Sequence, residues 1–387
     1  MADPIFRNVG WTVGSHCNAH CAHCYSRGVR EGAARFLDEM EMDRIIAQLA
    51  ALGVRTVNLG GNEPIYTHGP DPRQSRLPRL LGKLAAAGLP VGLTTNGVTF
   101  RELRQHHPEA LAWLNDVDFS LDWPAREEHD AARGAPLFDL VVDSIRRCGE
   151  LGLPCSITVC ATRENFTAPT IAGFLDLAGR LGCELRVNML KPVEPYLLAR
   201  MPTRDQFYAG FAQLMAATDC LTQAEGCLTA FTASGAAGCP CGLRSFRING
   251  KTAAGTVPVG PCIYAHAFRG GDLLTQDLAD IVAGPEFMRF TRRARELPRA
   301  CREVDCPHLE TCRGGCTART WFVHGSLDAK DPYCPLDHLA DHGARPPLPV
   351  APPVGLADTL RVHDDYLCTW IGRPRRAEGG ASSGGGR

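Results

Sequence analysis

Three cysteines lie close together near the start of the chain, in the stretch GSHCNAHCAHCYSRG. Three residues separate Cys17 from Cys21, and two separate Cys21 from Cys24. Thiolates on one short loop can each bind a different iron of a cubane iron–sulfur cluster, and the remaining iron is then free to bind a small molecule. The alternative is a structural zinc ion, which prefers four ligands and would recruit one of His16, His20 or His23.

A second group of cysteines lies further along the chain. Five cysteines precede the run CREVDCPHLETCRGGC, four lie within it and one follows it. These ten residues are Cys220, Cys227, Cys239, Cys241, Cys262, Cys301, Cys306, Cys312, Cys316 and Cys334. The 18 cysteines of the chain exceed what core packing requires. In a reducing compartment, clustered cysteines bind metal more often than they form disulfides. Five isolated cysteines in apolar surroundings are expected to be ordinary core residues: Cys148, Cys155, Cys160, Cys183 and Cys368.

Composition excludes several classes of function. The chain has 387 residues, a formal net charge of −1 and no block of basic residues, which argues against nucleic-acid binding. No apolar run reaches the roughly 18 residues that a membrane span needs. The N-terminal residues lack the charged and apolar regions of a secretion signal. We therefore expect a cytoplasmic protein.

The elements that must position the first cysteine loop alternate regularly. Apolar segments typical of strands occur at 9–14, 55–61, 90–97, 116–122, 155–162 and 184–190. Helical periodicity occurs at 38–53, 76–88, 102–114, 138–152, 168–182 and 203–218. This alternation predicts a parallel sheet with right-handed crossovers, and six units suit a partial, TIM-like (β/α)6 barrel. In such folds reactive groups lie at the C-terminal ends of the strands, which is where the cysteine loop begins.

The pattern changes after about residue 220, where Gly, Pro and Cys dominate and one hairpin is expected within 245–262. A region with so little apolar periodicity would be stabilised by bound metal rather than by a core. We predict a barrel at 1–218 and a small cysteine-rich domain at 219–340. A Pro-rich linker with a flexible Gly/Ser-rich tail is expected at 341–387.

The run CNAHCAHC resembles the Cys-x3-Cys-x2-Cys signature of the radical S-adenosylmethionine superfamily, and the layout of residues 9–334 fits that family. One departure is His23, where an aromatic residue is usual. The resemblance implies a 4Fe–4S cluster held by Cys17, Cys21 and Cys24. Its open iron would bind the amino and carboxylate groups of S-adenosylmethionine. Electron transfer into this cosubstrate would generate a 5′-deoxyadenosyl radical.

Later strand ends carry segments that resemble the cosubstrate pocket of that family. GGNEP at 60–64 is similar to a motif that binds the methionine amino group, with Glu63 offering a carboxylate and Asn62 standing where glycine is usual. Asn tolerates left-handed backbone better than other non-glycine residues. The resemblance implies contacts with S-adenosylmethionine from Gly60, Gly61, Asn62, Glu63, Asn96, Ser120, Asp122 and Thr158. The alternative is ordinary turn formation and helix capping at these strand ends.

The second cysteine group resembles the SPASM domain, which carries two auxiliary 4Fe–4S clusters; the first spacing is four residues here instead of two. The resemblance implies an outer cluster held by Cys301, Cys306, Cys312 and Cys334, and an inner cluster held by Cys241, Cys262 and Cys316. Cys227 is favoured as the fourth inner ligand because Cys239 is only one residue from Cys241; an open iron is the third possibility. Two zinc sites are the alternative to clusters.

The resemblance also implies a class of substrate. Proteins with this pair of domains most often modify ribosomally synthesised peptides by crosslinking, epimerisation or backbone rearrangement. The alternative is a dehydrogenase or tailoring enzyme acting on a small molecule such as a sugar or antibiotic precursor. Sulfatase-maturase chemistry loses support because Ile263, not Asp, follows Cys262. Since the first cluster motif begins at Cys17, we expect a separate leader-recognition protein, or recognition by the barrel and tail, together with an electron donor such as ferredoxin or flavodoxin.

Overall fold

The computed structural model describes residues 6–26, 36–233, 238–350, 353–354 and 367–375. Its strands are β1 Asn8–Thr12, β2 Thr56–Gly60, β3 Val91–Thr95, β4 Leu114–Ser120, β5 Cys155–Ala161, β6 Glu184–Met189, β7 Thr218–Gln223, β8 Ser245–Ile248, β9 Pro258–Gly260, β10 Gly271–Asp272 and β11 Trp370–Pro374. Its helices are α1 Glu39–Ala51, α2 Leu77–Ala86, α3 Val98–His106, α4 Arg126–Arg133, α5 Phe138–Leu151, α6 Ala168–Leu181, α7 Arg204–Ala217, α8 Gly226–Thr229, α9 Leu278–Ala283, α10 Pro285–Glu296, α11 Arg299–Arg302, α12 Leu309–Cys312, α13 Thr317–His324 and α14 Pro335–His342.

The first six strands form the parallel sheet that the sequence predicts. They lie side by side in chain order from β1 to β6, and each pairs in parallel with the next. Every residue of β1 and β2 is buried, as expected when both faces of a parallel sheet are covered. The mixed α/β fold with a parallel sheet and a cysteine-rich C-terminal region is thereby confirmed.

Helix boundaries follow local signals. A capping box joins Asp38 and Glu41 at the start of α1, and Gly53 follows that helix with a φ of 78°. The helix expected at 102–114 instead runs from Val98 to His106, and a 3-10 turn follows at Pro108–Trp113. Pro108 causes the break because it has no N–H to continue the helix. Helix α4 was not predicted.

The cysteine-rich region joins the same sheet. β8 pairs in parallel with β1, and β9 pairs with β8 in the hairpin that the sequence predicts. The thiol-bearing loops before β8 and after β9 therefore lie beside the strand that leads into the first cysteine loop. Among the described residues, no helix is both long and apolar enough to cross a bilayer.

The last strand occupies a place that the sequence did not indicate. β11 lies between β6 and β7 and is antiparallel to both. Trp370 and Ile371 are fully buried there. The expectation of a linker and flexible tail across 341–387 is wrong for this strand. The sequence did not indicate the strand because its partner strands lie far upstream and its apolar run is too short to show periodicity. The expected Gly/Ser-rich tail at the end of the chain lies outside the described residues, which stop at 375.

Candidate functional site

The first cysteine loop follows β1 and faces a cavity. Cys17 and Cys21 are 7% and 5% exposed, Cys24 is half-buried, and all three line the same cavity. Burial raises the pKa of the Cys21 thiol, and the nearby Arg133 guanidinium opposes this rise. Arg133 Nη1 lies 3.5 Å from Cys21 Sγ and donates to it. The loop thus presents three thiols together, one of them supported by a buried cation.

The predicted cosubstrate residues surround this cavity. Seven of them line it, from strands β2, β4 and β5 and from the segments that follow β2 and β3: Gly60, Gly61, Asn62, Glu63, Asn96, Ser120 and Thr158. Asp122 does not line it. The space within the cavity, together with the open solvent at its mouth, measures about 1050 Å³. The cavity thus has room for a group bound to the thiols and a second ligand beside it.

The turn after β2 depends on left-handed backbone at two residues. Gly61 and Asn62 have φ values of 72° and 52°. A Cβ on Gly61 would lie 2.5 Å from the Thr12 side chain, so only glycine fits there. Asn62 Nδ2 donates to the Gly14 carbonyl at 2.7 Å, which fixes the side chain of the residue that replaces a glycine. The backbone expected for Asn62 is the one observed.

The Glu63 carboxylate accepts hydrogen bonds from residues at the start of α3. It accepts hydrogen bonds from the N–H groups of Asn96 and Thr99 at 2.9 and 2.8 Å, and from the hydroxyls of Thr95 and Thr99. Burial raises the pKa of this carboxyl group, and these hydrogen bonds oppose the rise. Glu63 therefore positions the segment that carries Asn96. Its expected contact with an ammonium group stays a prediction.

Asp122 forms a buried charge cluster behind the cysteine loop. Its carboxylate lies 2.7 Å from Arg133 Nη2 and 3.2 Å from His23 Nε2, and it accepts from the Cys160 N–H at 3.0 Å. Burial alone would raise the pKa of Asp122, but Arg133 and His23 hold it well below its usual range. Asp122 and Ser120, both predicted as cosubstrate residues, thus differ: Ser120 faces the cavity, whereas Asp122 is enclosed by the groups that support the cysteine loop.

The four cysteines expected at the outer cluster come together. A cavity separate from the first is lined by Cys301, Cys306, Cys312 and Cys334, which we call the outer thiol group. Cys227 lies beside this group: α8 packs on α12, and the Cys227 thiol contacts that of Cys312. The packing of these two helices thus places Cys227 beside the outer thiol group, and its expected place as the fourth inner ligand stays a prediction without support from this contact.

The cysteines expected at the inner cluster also come together, with one addition. Cys241 contacts Cys239 and Cys262, and Cys316 packs in the same buried cluster. Cys368, expected to be an ordinary core residue, joins them: its Sγ lies 3.8 Å from Cys239 Sγ. We call these five cysteines the inner thiol group. Cys316 belongs to this set although Cys312, four residues earlier, belongs to the outer one, as the resemblance implies.

Comparisons with known proteins agree with this geometry. The family model of the radical SAM superfamily matches residues 11–170. The mycofactocin maturase MftC of Mycolicibacterium smegmatis is 30% identical over 344 residues, which are 84% of this chain and 81% of that protein. The chain belongs to the radical SAM superfamily.

Solved structures show the same fold. SuiB of Streptococcus suis, solved with its precursor peptide SuiA, superposes with a TM-score of 0.57 at 16% identity, covering 86% of this chain and 75% of SuiB. Native anSMEcpe with bound AdoMet superposes with a TM-score of 0.61 at 13% identity, covering 84% of this chain and 94% of that chain. At these identities the likeness concerns the fold alone.

The cavity of this radical SAM chain fits a polar ligand. Asn58 and Asn188 both line it, and the buried Asn58 Nδ2 and Asn188 Oδ1 atoms have no hydrogen-bond partner among the described residues. Buried polar groups are almost always hydrogen-bonded, so a ligand is the expected partner. The cosubstrate of the superfamily offers amino, carboxylate, hydroxyl and adenine groups for this purpose. Asn58 could have been found from sequence, since it is a polar residue within the apolar strand TVNLG.

Sequence reasoning missed the residues that close the radical SAM cavity from the C-terminal region. Tyr264 and Leu367 line it opposite the barrel strands. The Tyr264 ring packs edge-on against Tyr25, with 5.3 Å between ring centroids, and Lys191 Nζ lies 5.4 Å from the Tyr264 centroid. Tyr264 lies two residues after Cys262, so the segment that carries an inner thiol also covers the cavity. Only tertiary packing brings these distant segments together.

Proposed function

We propose that this chain is a radical S-adenosylmethionine enzyme that modifies a ribosomally synthesised precursor peptide. The observation that carries the proposal is the single cavity that the three loop thiols share with the polar ends of the parallel strands. The relatives add the class of substrate. One is named a mycofactocin maturase, and SuiB was solved with a precursor peptide.

In this proposal Cys17, Cys21 and Cys24 hold a 4Fe–4S cluster. When bound, such a cluster supplies the electron that cleaves S-adenosylmethionine into methionine and a 5′-deoxyadenosyl radical. The chain's own residues bind and orient. Asn58 of β2 and Asn188 of β6 supply hydrogen bonds to the cosubstrate. The buried walls of the cavity exclude water and stray hydrogen donors from the reacting atoms.

The charge cluster behind the loop holds the ligands in place. Arg133 donates to Cys21 Sγ and pairs with Asp122, and Asp122 also pairs with His23 within the loop. A cation beside a thiolate stabilises it, because the charge-assisted hydrogen bond favours the ionised form. We assign these residues a positioning role.

The enzyme would also need further cofactors and partner proteins. Two auxiliary 4Fe–4S clusters, three clusters in all, would occupy the outer and inner thiol groups. A separate leader-recognition protein would deliver the peptide, and a ferredoxin or flavodoxin would supply electrons. The protein would act in the cytoplasm, where its thiols stay reduced.

Anaerobic reconstitution tests the chemistry. The protein is incubated with iron, sulfide, S-adenosylmethionine and a strong reductant, and 5′-deoxyadenosine is measured by mass spectrometry. Cys21→Ala should abolish the product, and Cys183→Ala, which removes a buried thiol far from the cavity, should leave it. A colourless protein that holds zinc instead of iron, or 5′-deoxyadenosine formation by Cys21→Ala, would contradict the proposal.

A second experiment tests the substrate. Short peptides encoded beside this protein are incubated with the reconstituted enzyme and examined for a mass change that depends on S-adenosylmethionine. Binding of each peptide is measured with and without small proteins encoded nearby. Formation of 5′-deoxyadenosine together with turnover of a sugar or antibiotic precursor, and with no change in any peptide, would overturn the peptide assignment alone.

A further inference from the structure

The inner thiol group contains more thiols than a cubane cluster can use, and they come from four separate segments. Cys239 and Cys241 precede β8, Cys262 follows β9, Cys316 precedes α13, and Cys368 precedes β11. All five residues are at most 3% exposed. Their thiols form a continuous series of contacts in the order Cys262, Cys241, Cys239, Cys368, Cys316.

Cys368 is held in this group by the sheet. β11 is fixed on both edges by pairing with β6 and β7. Just before the strand, the Ala224 N–H donates to the Thr369 carbonyl at 2.9 Å, and Lys191 Nζ donates to the Cys368 carbonyl at 3.2 Å. The backbone from the Cys368 carbonyl into β11 is thus anchored to the barrel, which holds the thiol beside the inner group.

Charge around the inner thiol group favours an anionic occupant. Arg247 is 4% exposed, and no carboxylate pairs with it in the part of the chain that the structure describes. Its Nη1 donates only to the Ile263 carbonyl, at 3.3 Å, and its Nε has no partner among the described residues. A buried, unpaired cation is costly unless a negative group lies nearby. A cluster held by four thiolates carries net negative charge and would supply that group beside Cys262.

The positions of the thiols favour one candidate for the fourth ligand of a cluster in the inner thiol group. Cys227, the candidate favoured from sequence, contacts Cys312 of the outer thiol group. Cys239 and Cys241 are separated by one residue and their thiols are in contact, so the two occupy one side of the group. Cys368 lies on the side between Cys239 and Cys316 and comes from an independent segment.

We propose that the inner thiol group holds an iron–sulfur cluster whose fourth protein ligand comes from the C-terminal strand: Cys241, Cys262, Cys316 and Cys368. Such a cluster would link the cysteine-rich region to β11, and each of its four irons would have a cysteine ligand from the protein. It leaves no iron there open to substrate. Cys239 is an unligated neighbour. The inference rests on the proposed auxiliary clusters and not on the identity of the substrate.

The test measures the iron content of a variant that can form only the auxiliary clusters. In the full chain, Cys17, Cys21 and Cys24 are replaced by Ala, and the reconstituted protein should hold about eight irons, two clusters of four. Adding Cys368→Ala should reduce this to about four, or leave a cluster on three thiolates with a changed electron paramagnetic resonance spectrum and reduction potential. Cys183→Ala, which removes an equally buried thiol, should change neither the iron count nor the spectrum.

Further variants decide between the candidate ligands. Cys239→Ala and Cys227→Ala should retain the inner cluster unchanged. Unchanged iron and spectra in Cys368→Ala, loss of the inner cluster in Cys239→Ala alone, or zinc in place of iron would overturn the proposal. If Cys368→Ala fails to fold by circular dichroism, Cys368→Ser retains the side-chain shape, and it should still shift the potential of one auxiliary cluster. These readouts need no S-adenosylmethionine cleavage, so a failure of the proposed function would not imitate a failure here.

Discussion

Replacing Arg133 by glutamine should destabilise the first cluster far more than any exposed charge change on the same helix. Arg133 is 8% exposed and pairs at 2.7 Å with Asp122, which is 1% exposed. It also donates to Cys21 Sγ at 3.5 Å. Glutamine carries no charge and cannot make either charge-assisted contact. The Asp122 carboxylate would be left buried with His23 Nε2 as its remaining side-chain neighbour at 3.2 Å.

The magnitude follows from burial. Removing one partner of a buried ion pair costs about 3–5 kcal/mol because the other charge stays uncompensated. At about 1.4 kcal/mol per factor of ten, an opening equilibrium of the cysteine loop would shift by roughly 100- to 1,000-fold or more. Arg126 is the matched control: it lies on the same helix and pairs with Asp139 at 2.6 Å, but both side chains are more than half exposed. Such pairs contribute about 0–1 kcal/mol.

The assay follows loss of the first cluster specifically. Reduced protein is mixed with an iron chelator, and the electron paramagnetic resonance signal that responds to S-adenosylmethionine is recorded over time. Arg133→Gln should lose this signal about 100-fold faster or more than the parent chain, and Arg126→Gln should match the parent. Adding Asp122→Asn to Arg133→Gln removes the stranded charge and should recover at least about tenfold, a coupling of roughly 1.4 kcal/mol. Equal rates in Arg133→Gln and Arg126→Gln would refute the reasoning.

Three further outcomes are expected. Burial lowers the pKa of His129 to about 4, below the roughly 6.5 of an unfolded histidine. The free energy of unfolding should therefore be highest above pH 6.5 and fall by up to about 3 kcal/mol towards pH 4, because the unfolded chain binds the proton more tightly. Denaturant midpoints of His129→Gln should lack this dependence on pH. Gly61→Ala should weaken S-adenosylmethionine binding at least about tenfold in equilibrium dialysis, because its Cβ would lie 2.5 Å from Thr12. Gly53→Ala, with similar φ but open space around it, should leave binding unchanged. Cys160→Ala should keep 5′-deoxyadenosine formation within about twofold, since this cavity-lining thiol is not one of the loop ligands; abolished formation would make it a ligand.

Local patterns determined the parts of the fold that depend on neighbouring residues. Strand–helix alternation predicted all six parallel strands. The left-handed backbone of Asn62 followed from its place in GGNEP. The spacing of Cys17, Cys21 and Cys24 indicated one shared site because residues on one short loop must lie close together in space. These are short-range properties, and sequence spacing reports them directly.

The roles of other predicted residues depended on packing that spacing does not report. Asp122 was expected beside the cosubstrate, but α4, which was not predicted, brings Arg133 against it. The Glu63 carboxylate was expected to contact an ammonium group; in the structure it accepts a hydrogen bond from the Thr99 N–H, and the ammonium contact stays a prediction. In both cases a carboxylate at a strand end found a partner within the protein, which sequence cannot distinguish from a ligand.

The sequence by itself determined that three thiols share a loop at the mouth of a parallel sheet and that two more sets of thiols follow. Only the tertiary structure decided the membership of those sets. Cys227 lies beside the outer thiol group because α8 packs on α12, and Cys368 lies within the inner one because β11 pairs with β6 and β7. Both results depend on contacts between segments far apart in the chain, whose energies come from buried surface and strand pairing. No local spacing encodes such contacts.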